Sequence, residues 1–201
     1  MRKKLCAPMI ALCLLLTACG NTGGEEATIG LMERYSAMTG CSMEAVVTCE
    51  QEGLAWEALL RCDYVPEGET VVEVLEPELI AGVKAVMNAG EWQLEYEGER
   101  LNAGAVGTGV PSPALCLPQL MSALRDGWLL EENEEKWGEI PCVRLSLDQS
   151  GPEESRLIST IWLRQADGAP LRGEIALDEK IILTAEFTDF SFYDIINAQN
   201  S

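Results

Sequence analysis

Polar and apolar positions divide this chain into segments of different period. Arg2, Lys3 and Lys4 precede an almost wholly apolar run from Leu5 to Leu16. That run is about a dozen residues, short of the ~20 that a membrane-spanning helix needs, so a retained transmembrane anchor is not expected there. Asn21 to Ala27 is polar and glycine-rich, with Glu25 and Glu26, and reads as a short tether. Ile29, Leu31, Met32, Tyr35 and Met38 then recur at helical spacing. They predict an amphipathic helix over 28–39 that ends near Gly40.

After Gly40 the period becomes two. Met43, Ala45, Val47 and Cys49 alternate with Glu44, Val46, Thr48 and Glu50, and Leu54, Trp56, Ala58 and Leu60 with Ala55, Glu57, Leu59 and Arg61. Gln51-Glu52-Gly53 lies between them, which predicts a hairpin of two half-buried strands. Further strands are expected at 70–76, 81–87 and 91–101, punctuated by Pro66-Glu67-Gly68, Glu76-Pro77, Asn88-Ala89-Gly90 and Glu97-Gly98. Asn102 to Ser112 holds three glycines and Pro111 and is expected to connect. It lacks the spacing and lysine of a phosphate loop. Leu117, Leu120, Met121 and Leu124 share a helical face, so a second helix is expected over 113–126, with Gly127 ending it and Pro118 either early in it or splitting it. Strands resume at 128–132, 140–148, 156–164, 171–178 and 180–190, with a turn at Ala166-Asp167-Gly168 and an exposed, glutamate-rich hairpin tip at Glu131 to Glu139. The fold class is therefore α+β: an antiparallel sheet of about ten strands with two helices.

Composition narrows the chemistry. The chain has 201 residues, a net charge of −19 and no histidine. Without histidine, Ser-His-Asp and Cys-His catalysis and histidine-based metal sites are excluded together. Such acidity disfavours anionic lipid head groups and nucleic acid as partners. No C-x-x-C pair and no phosphate loop is present, so no metal and no cofactor is expected. The carboxylate density leaves calcium less firmly excluded.

Leu16-Thr17-Ala18-Cys19 follows the apolar run, with Gly20 and Asn21 after it. The order of positive, apolar and small-residue regions is that of a secretory signal. The four residues resemble the lipobox of a bacterial lipoprotein. The resemblance implies that Cys19 carries a diacylglyceryl group and becomes the new N-terminus. Residues 1–18 would then be the signal peptide, 19–27 the lipidated end and tether, and 28–201 a single domain on the extracytoplasmic face of the membrane. The membrane would be held through the lipid on Cys19, because two or more acyl chains anchor stably where one does not. Losing residues 1–18 removes three positive charges and takes the net charge to −22.

Five cysteines then remain, Cys41, Cys49, Cys62, Cys116 and Cys142. Exported chains commonly pair cysteines. With Gln51-Glu52-Gly53 as the turn, Glu50 faces Leu54 and Cys41 faces Asp63, one place from Cys62. A bridge between Cys41 and Cys62 then needs a one-residue adjustment; five buried free thiols are the alternative. Cys116 and Cys142 could pair only if the second helix packs over the strand that holds Cys142.

The body also resembles the LolA/LolB/RseB-like lipoprotein-carrier superfamily, and more closely lipoproteins of spore-forming Firmicutes related to the germination family. The residues that carry this are the opening helix through Tyr35, Leu75-Glu76-Pro77-Glu78-Leu79-Ile80-Ala81-Gly82-Val83, Leu94-Glu95-Tyr96-Glu97-Gly98, and Pro111-Ser112-Pro113-Ala114. Ile161-Trp162-Leu163, Ala169-Pro170-Leu171-Arg172 and Phe187-Thr188-Asp189-Phe190 complete it, so that order and spacing cover nearly all of 28–193. The resemblance implies a strongly bent, unclosed antiparallel sheet, a half-barrel with both helices over its concave face. It also implies a non-enzymatic protein whose hollow takes a lipid, an acyl chain or another apolar ligand. The alternative it leaves open is a partner for a cell-envelope enzyme such as a cell-wall amidase. Trp56, Trp92, Trp128 and Trp162 are candidates either for core or for ligand wall; no ligand-binding residue is assigned from sequence. A hydrolase is disfavoured, since no S-x-x-K occurs after residue 18 and, among 33 acidic residues, some near carboxylate pair is inevitable.

Overall fold

A computed structural model describes residues 22–51, 54–105, 112–151 and 155–193. Cys19, the lipobox and most of the glycine-rich connector lie outside these residues. Helix α1 spans Thr22–Ala37. Six strands follow: β1 Cys41–Gln51, β2 Leu54–Tyr64, β3 Thr70–Glu76, β4 Lys84–Asn88, β5 Glu91–Tyr96 and β6 Glu99–Ala105. Helix α2 is Cys116–Asp126, preceded by a single 3-10 turn at Pro113–Leu115. Then come β7 Trp128–Trp137, β8 Ile140–Asp148, β9 Leu157–Arg164, β10 Pro170–Leu177 and β11 Lys180–Phe192.

All eleven strands form one antiparallel sheet in the order β6-β5-β4-β3-β2-β1-β11-β10-β9-β8-β7. Each half of the chain is thus a meander in which every strand pairs with the one before it. The first and last strands join the halves through a ladder from Cys41–Phe192 to Cys49–Leu183. β6 and β7 end the sheet, which therefore does not close. A sheet this wide must curl to bury an apolar face, and the inner face closes over the helices. Met43, Ala45 and Val47 of β1, Val143, Leu145 and Leu147 of β8, and Ile161 and Leu163 of β9 are buried there with Leu117, Leu120, Met121 and Leu124 of α2.

Several boundaries differ from the sequence expectation: β4 starts at Lys84 rather than 81, and β7 runs on to Trp137 through the glutamate-rich stretch expected to be an exposed hairpin tip. The strand expected over 91–101 is two strands, because Glu97 and Gly98 both take positive φ (50° and 84°) and reverse the chain in two residues. Such a turn matches the twist of the strands it joins and is open to glycine at no steric cost. Helix α1 begins at Thr22, inside the expected tether, and ends at Ala37, three residues short of Gly40. Pro118 does not split α2. It lies in the first turn, where a missing N–H breaks no helical bond.

Two contacts set the helices on the sheet. Tyr35 is fully buried, and its hydroxyl donates to the Gly168 carbonyl at 2.7 Å while its ring meets Phe192 edge-on at 5.1 Å. Leu120 of α2 lies over Gly173 of β10, where an added Cβ would come within 2.5 Å of the leucine Cδ1. Glycine at that point is what lets the helix seat so close to the strand.

Candidate functional site

The inner face is not covered along its whole width. Both helices sit near the middle and the β8–β11 half. Over β2 to β5 an apolar hollow of about 460 Å³ remains, within the range of small-ligand sites. Its floor is Trp56, Ala58 and Leu60 of β2 with Val72 and Val74 of β3. Ala85 of β4 and Trp92 and Leu94 of β5 continue it outward, and Pro113 and Ala114 roof it. The alternation that makes these half-buried strands puts the residues on one face. Glu57 and Ser112 supply its polar lining groups. The rim includes Pro77 and Ile80, and beside Ile80 stands Leu79, 89% exposed. The indole N–H of Trp56 is buried without a hydrogen-bond partner, an uncommon state for a buried donor. A second recess, of about 470 Å³, lies further along the same strands between Tyr64, Glu67, Met87, Gln119 and Ser122, and its wall is mixed in polarity.

Among the tryptophans singled out from sequence, Trp56 and Trp92 line the hollow and Trp128 and Trp162 do not. Trp128 is 77% exposed on β7. Trp162 lies on the outer face of β9, against Trp137 at 6.0 Å, and its indole donates to Glu135. Sequence alternation predicted the strands that hold Val72, Val74, Ala85 and Leu94 but did not single out these residues. It carried no signal that this part of the face stays uncovered, because that depends on where the helices land.

The cysteine register is corrected. The last pair of the first hairpin is Gln51–Leu54, so Cys41 faces Tyr64 and Cys62 faces Met43. Cys41 and Cys62 are diagonal neighbours on the inner face. Diagonal α-carbons stand about 7–8 Å apart, beyond the ~4.4–6.8 Å of a disulfide. All five cysteines of the described residues are free and buried. Burial pushes the Cys41 thiol up to about 12 and also raises Cys62 and Cys116, which makes these thiols poor nucleophiles. Cys142 alternates with inward-facing Val143 and lies on the outer side of β8, its thiol donating to the Glu135 carbonyl at 3.4 Å. Cys116, the first residue of α2 and on the inner side of the sheet, cannot reach it. Thiol titration of the unfolded, unreduced body is therefore expected to find five reactive groups; a count of three would mean a bridge and a register different from this one.

Among the described residues no group of three or more Cys, Asp or Glu is arranged to hold a metal ion, and no helix is long and apolar enough to cross a membrane.

An unclosed antiparallel sheet with two helices inside its curve and an apolar hollow beside them is the half-barrel that the LolA-like resemblance implies. No family model matches the chain, and no curated protein matches it significantly. It is similar to solved structures at low identity. One is an uncharacterized conserved protein from Thermus thermophilus, with 19% identity, a TM-score of 0.46, and 87% of this chain and 91% of that one covered. Another is a putative outer membrane lipoprotein-sorting protein domain from Vibrio parahaemolyticus, with 12% identity, a TM-score of 0.47, and 88% and 95% covered. A third is a chain in the complex of the CwlD amidase from Clostridioides difficile with the GerS lipoprotein, with 14% identity, a TM-score of 0.45, and 96% and 100% covered.

Proposed function

We propose that this chain is a lipid-anchored extracytoplasmic protein that holds an acyl chain, or another apolar group of that shape, in the hollow over β2 to β5. The reading assigns no catalysis to the chain. The observation that carries it is the hollow itself, apolar on floor and roof, with one buried indole donor left over. Each methylene moved from water into such a wall contributes about 0.8 kcal/mol. Ten or so would supply a large gross affinity without any charged contact. Leu79 and Ile80 at the rim present apolar side chains to whatever delivers the ligand. The anchor at Cys19 would hold this mouth near a membrane, the natural source of acyl chains.

The test is native mass spectrometry of the acyl-free body, expressed from Asn21 and exposed to a phospholipid extract. Bound apolar mass is expected on the parent and is expected to vanish in Ala85→Trp, where the indole fills the hollow. Circular dichroism would confirm that the variant is folded. No bound mass on the parent, or equal mass on the variant, would overturn the reading.

A further inference from the structure

The outer face of the sheet, on the side away from the hollow, carries a second kind of surface. Ser146, Thr160, Glu174, Thr184, Thr48 and Glu57 stand opposite one another in succession across β8, β9, β10, β11, β1 and β2. Residues directly opposite share a face. The six strands therefore present an unbroken polar row about 24 Å long, at ~4.8 Å per strand. From β10 to β2 this row is the floor of a groove of about 450 Å³. Its depth comes from side-chain length: Thr48 and Thr184 are short, and Glu57, Glu174, Arg172 and Ile181 stand around them.

The walls of the groove are held in place by the protein itself. Arg172 donates to one oxygen of Glu174 at 2.8 Å and to one oxygen of Glu186 at 2.9 Å. Its guanidinium also lies 5.1 Å from the Trp137 ring centre and 5.9 Å from that of Trp162. Glu57 and the hydroxyls of Thr48 and Thr184, by contrast, have no hydrogen-bond or ion-pair partner among the described residues. Ile181 at the groove and Trp137 beyond Arg172 add exposed apolar surface.

These groups select the occupant. Glu57, Glu174 and Glu186 against Arg172 turn away phosphate and other anions. The hydroxyl floor disfavours an acyl chain, because a hydroxyl covered by an apolar group loses its water and gains no partner. A peptide strand cannot add here, since every strand under the groove is interior and its backbone groups are spent in ladders on both sides. Basic side chains find Glu174 and Glu186 already paired with Arg172. What fits is an uncharged chain rich in hydroxyls, which donate and accept as the threonines do, with ring C–H faces to lie on Ile181 and Trp137. We propose that this groove binds a glycan, an extended and uncharged chain of β-linked hexoses laid across the strands with about one ring to each strand. The linkage follows from shape: a β-linked chain of the cellulose type is a flat ribbon whose rings repeat at nearly the strand spacing, whereas an α-linked chain of the starch type coils.

The test uses the body expressed from Asn21, which keeps every described residue, and four probes: cellohexaose, chitohexaose, maltohexaose and hexalysine. Binding is read by calorimetry at physiological salt. At least one of the two β-linked sugars is expected to bind, and which one does tells whether the groove takes a plain or an acetamido-bearing ring. Maltohexaose is expected to bind at least about tenfold more weakly than that sugar. A variant carrying Thr48→Val and Thr184→Val keeps the shape and strand preference of both side chains and removes only their hydroxyls. It is expected to lose about tenfold or more in affinity for the β-linked sugar. Circular dichroism and unchanged apolar mass in the hollow would show that the variant is folded. The proposal is overturned if neither β-linked sugar binds at millimolar concentration, if maltohexaose binds equally, or if the variant binds as the parent does. Binding of hexalysine alone would also overturn it, because the groove would then be a plain attraction of acidic surface for basic chains.

Discussion

Replacing Cys19 by alanine is expected to move the protein from the membrane fraction entirely into the soluble one while leaving the body folded. The anchor in this reading is covalent lipid on one sulfur and the new amino terminus. The described residues include no membrane-spanning helix. A body of net charge near −22 after loss of residues 1–18 is repelled by anionic head groups. Each methylene withdrawn from the bilayer costs about 0.8 kcal/mol, so losing two or three chains is far beyond what surface contacts return. Cys19 precedes α1, so the melting temperature of the body should stay the same within error. Fractionation with a fatty-acid probe reads both parts: unlabelled wild-type protein, or a Cys19→Ala variant still retained on membranes, would refute the lipoprotein reading.

The largest effect on stability is expected from Leu120→Ala. Leu120 is fully buried at the point where α2 presses on Gly173 of β10, and it belongs to the core that joins the helix to both halves of the sheet. Its removal loses the transfer energy of the side chain and leaves a cavity that a strand and a helix of fixed geometry cannot collapse into. The cost should be about 3–4 kcal/mol, a large share of a typical total of about 5–15 kcal/mol. For a body of this size that lowers the melting temperature by roughly 6–15 °C. Urea unfolding followed by tryptophan fluorescence measures it, and a loss below about 1 kcal/mol would show that α2 is not seated as described. A Gly173→Ala variant probes the same contact from the other side, where its Cβ must displace the Leu120 methyl.

Much of the fold was legible in the chain because its strands are half-buried and antiparallel. One face is apolar and the other polar, so a period of two marks them. β3 and β8 fall on the residues that alternation and turn residues predicted. The helix at 116–126 was legible for the same reason at a period near 3.6. Register was less so. A two-residue rather than a three-residue reversal after Gln51 moves Cys41 from Asp63 to Tyr64, and no hydrophobic pattern distinguishes the two when the shift arises in the turn.

By itself the sequence determined the class of the molecule: an acidic, histidine-free α+β chain whose strands each have one face to bury and whose start has the order of a secretory signal. Alternation and composition are local properties, and local properties are what a linear reading carries. Only the tertiary structure decided that β1 pairs with β11 across the chain, and that α2 lies over the middle of the sheet, leaving Trp56, Val74 and Trp92 uncovered. It also decided that the glutamate-rich strand β7 ends the sheet. Strand order, and which part of an apolar face a helix happens to cover, depend on contacts between residues far apart in the chain. The residues that line an open hollow and those that line a packed core have the same pattern until the fold separates them.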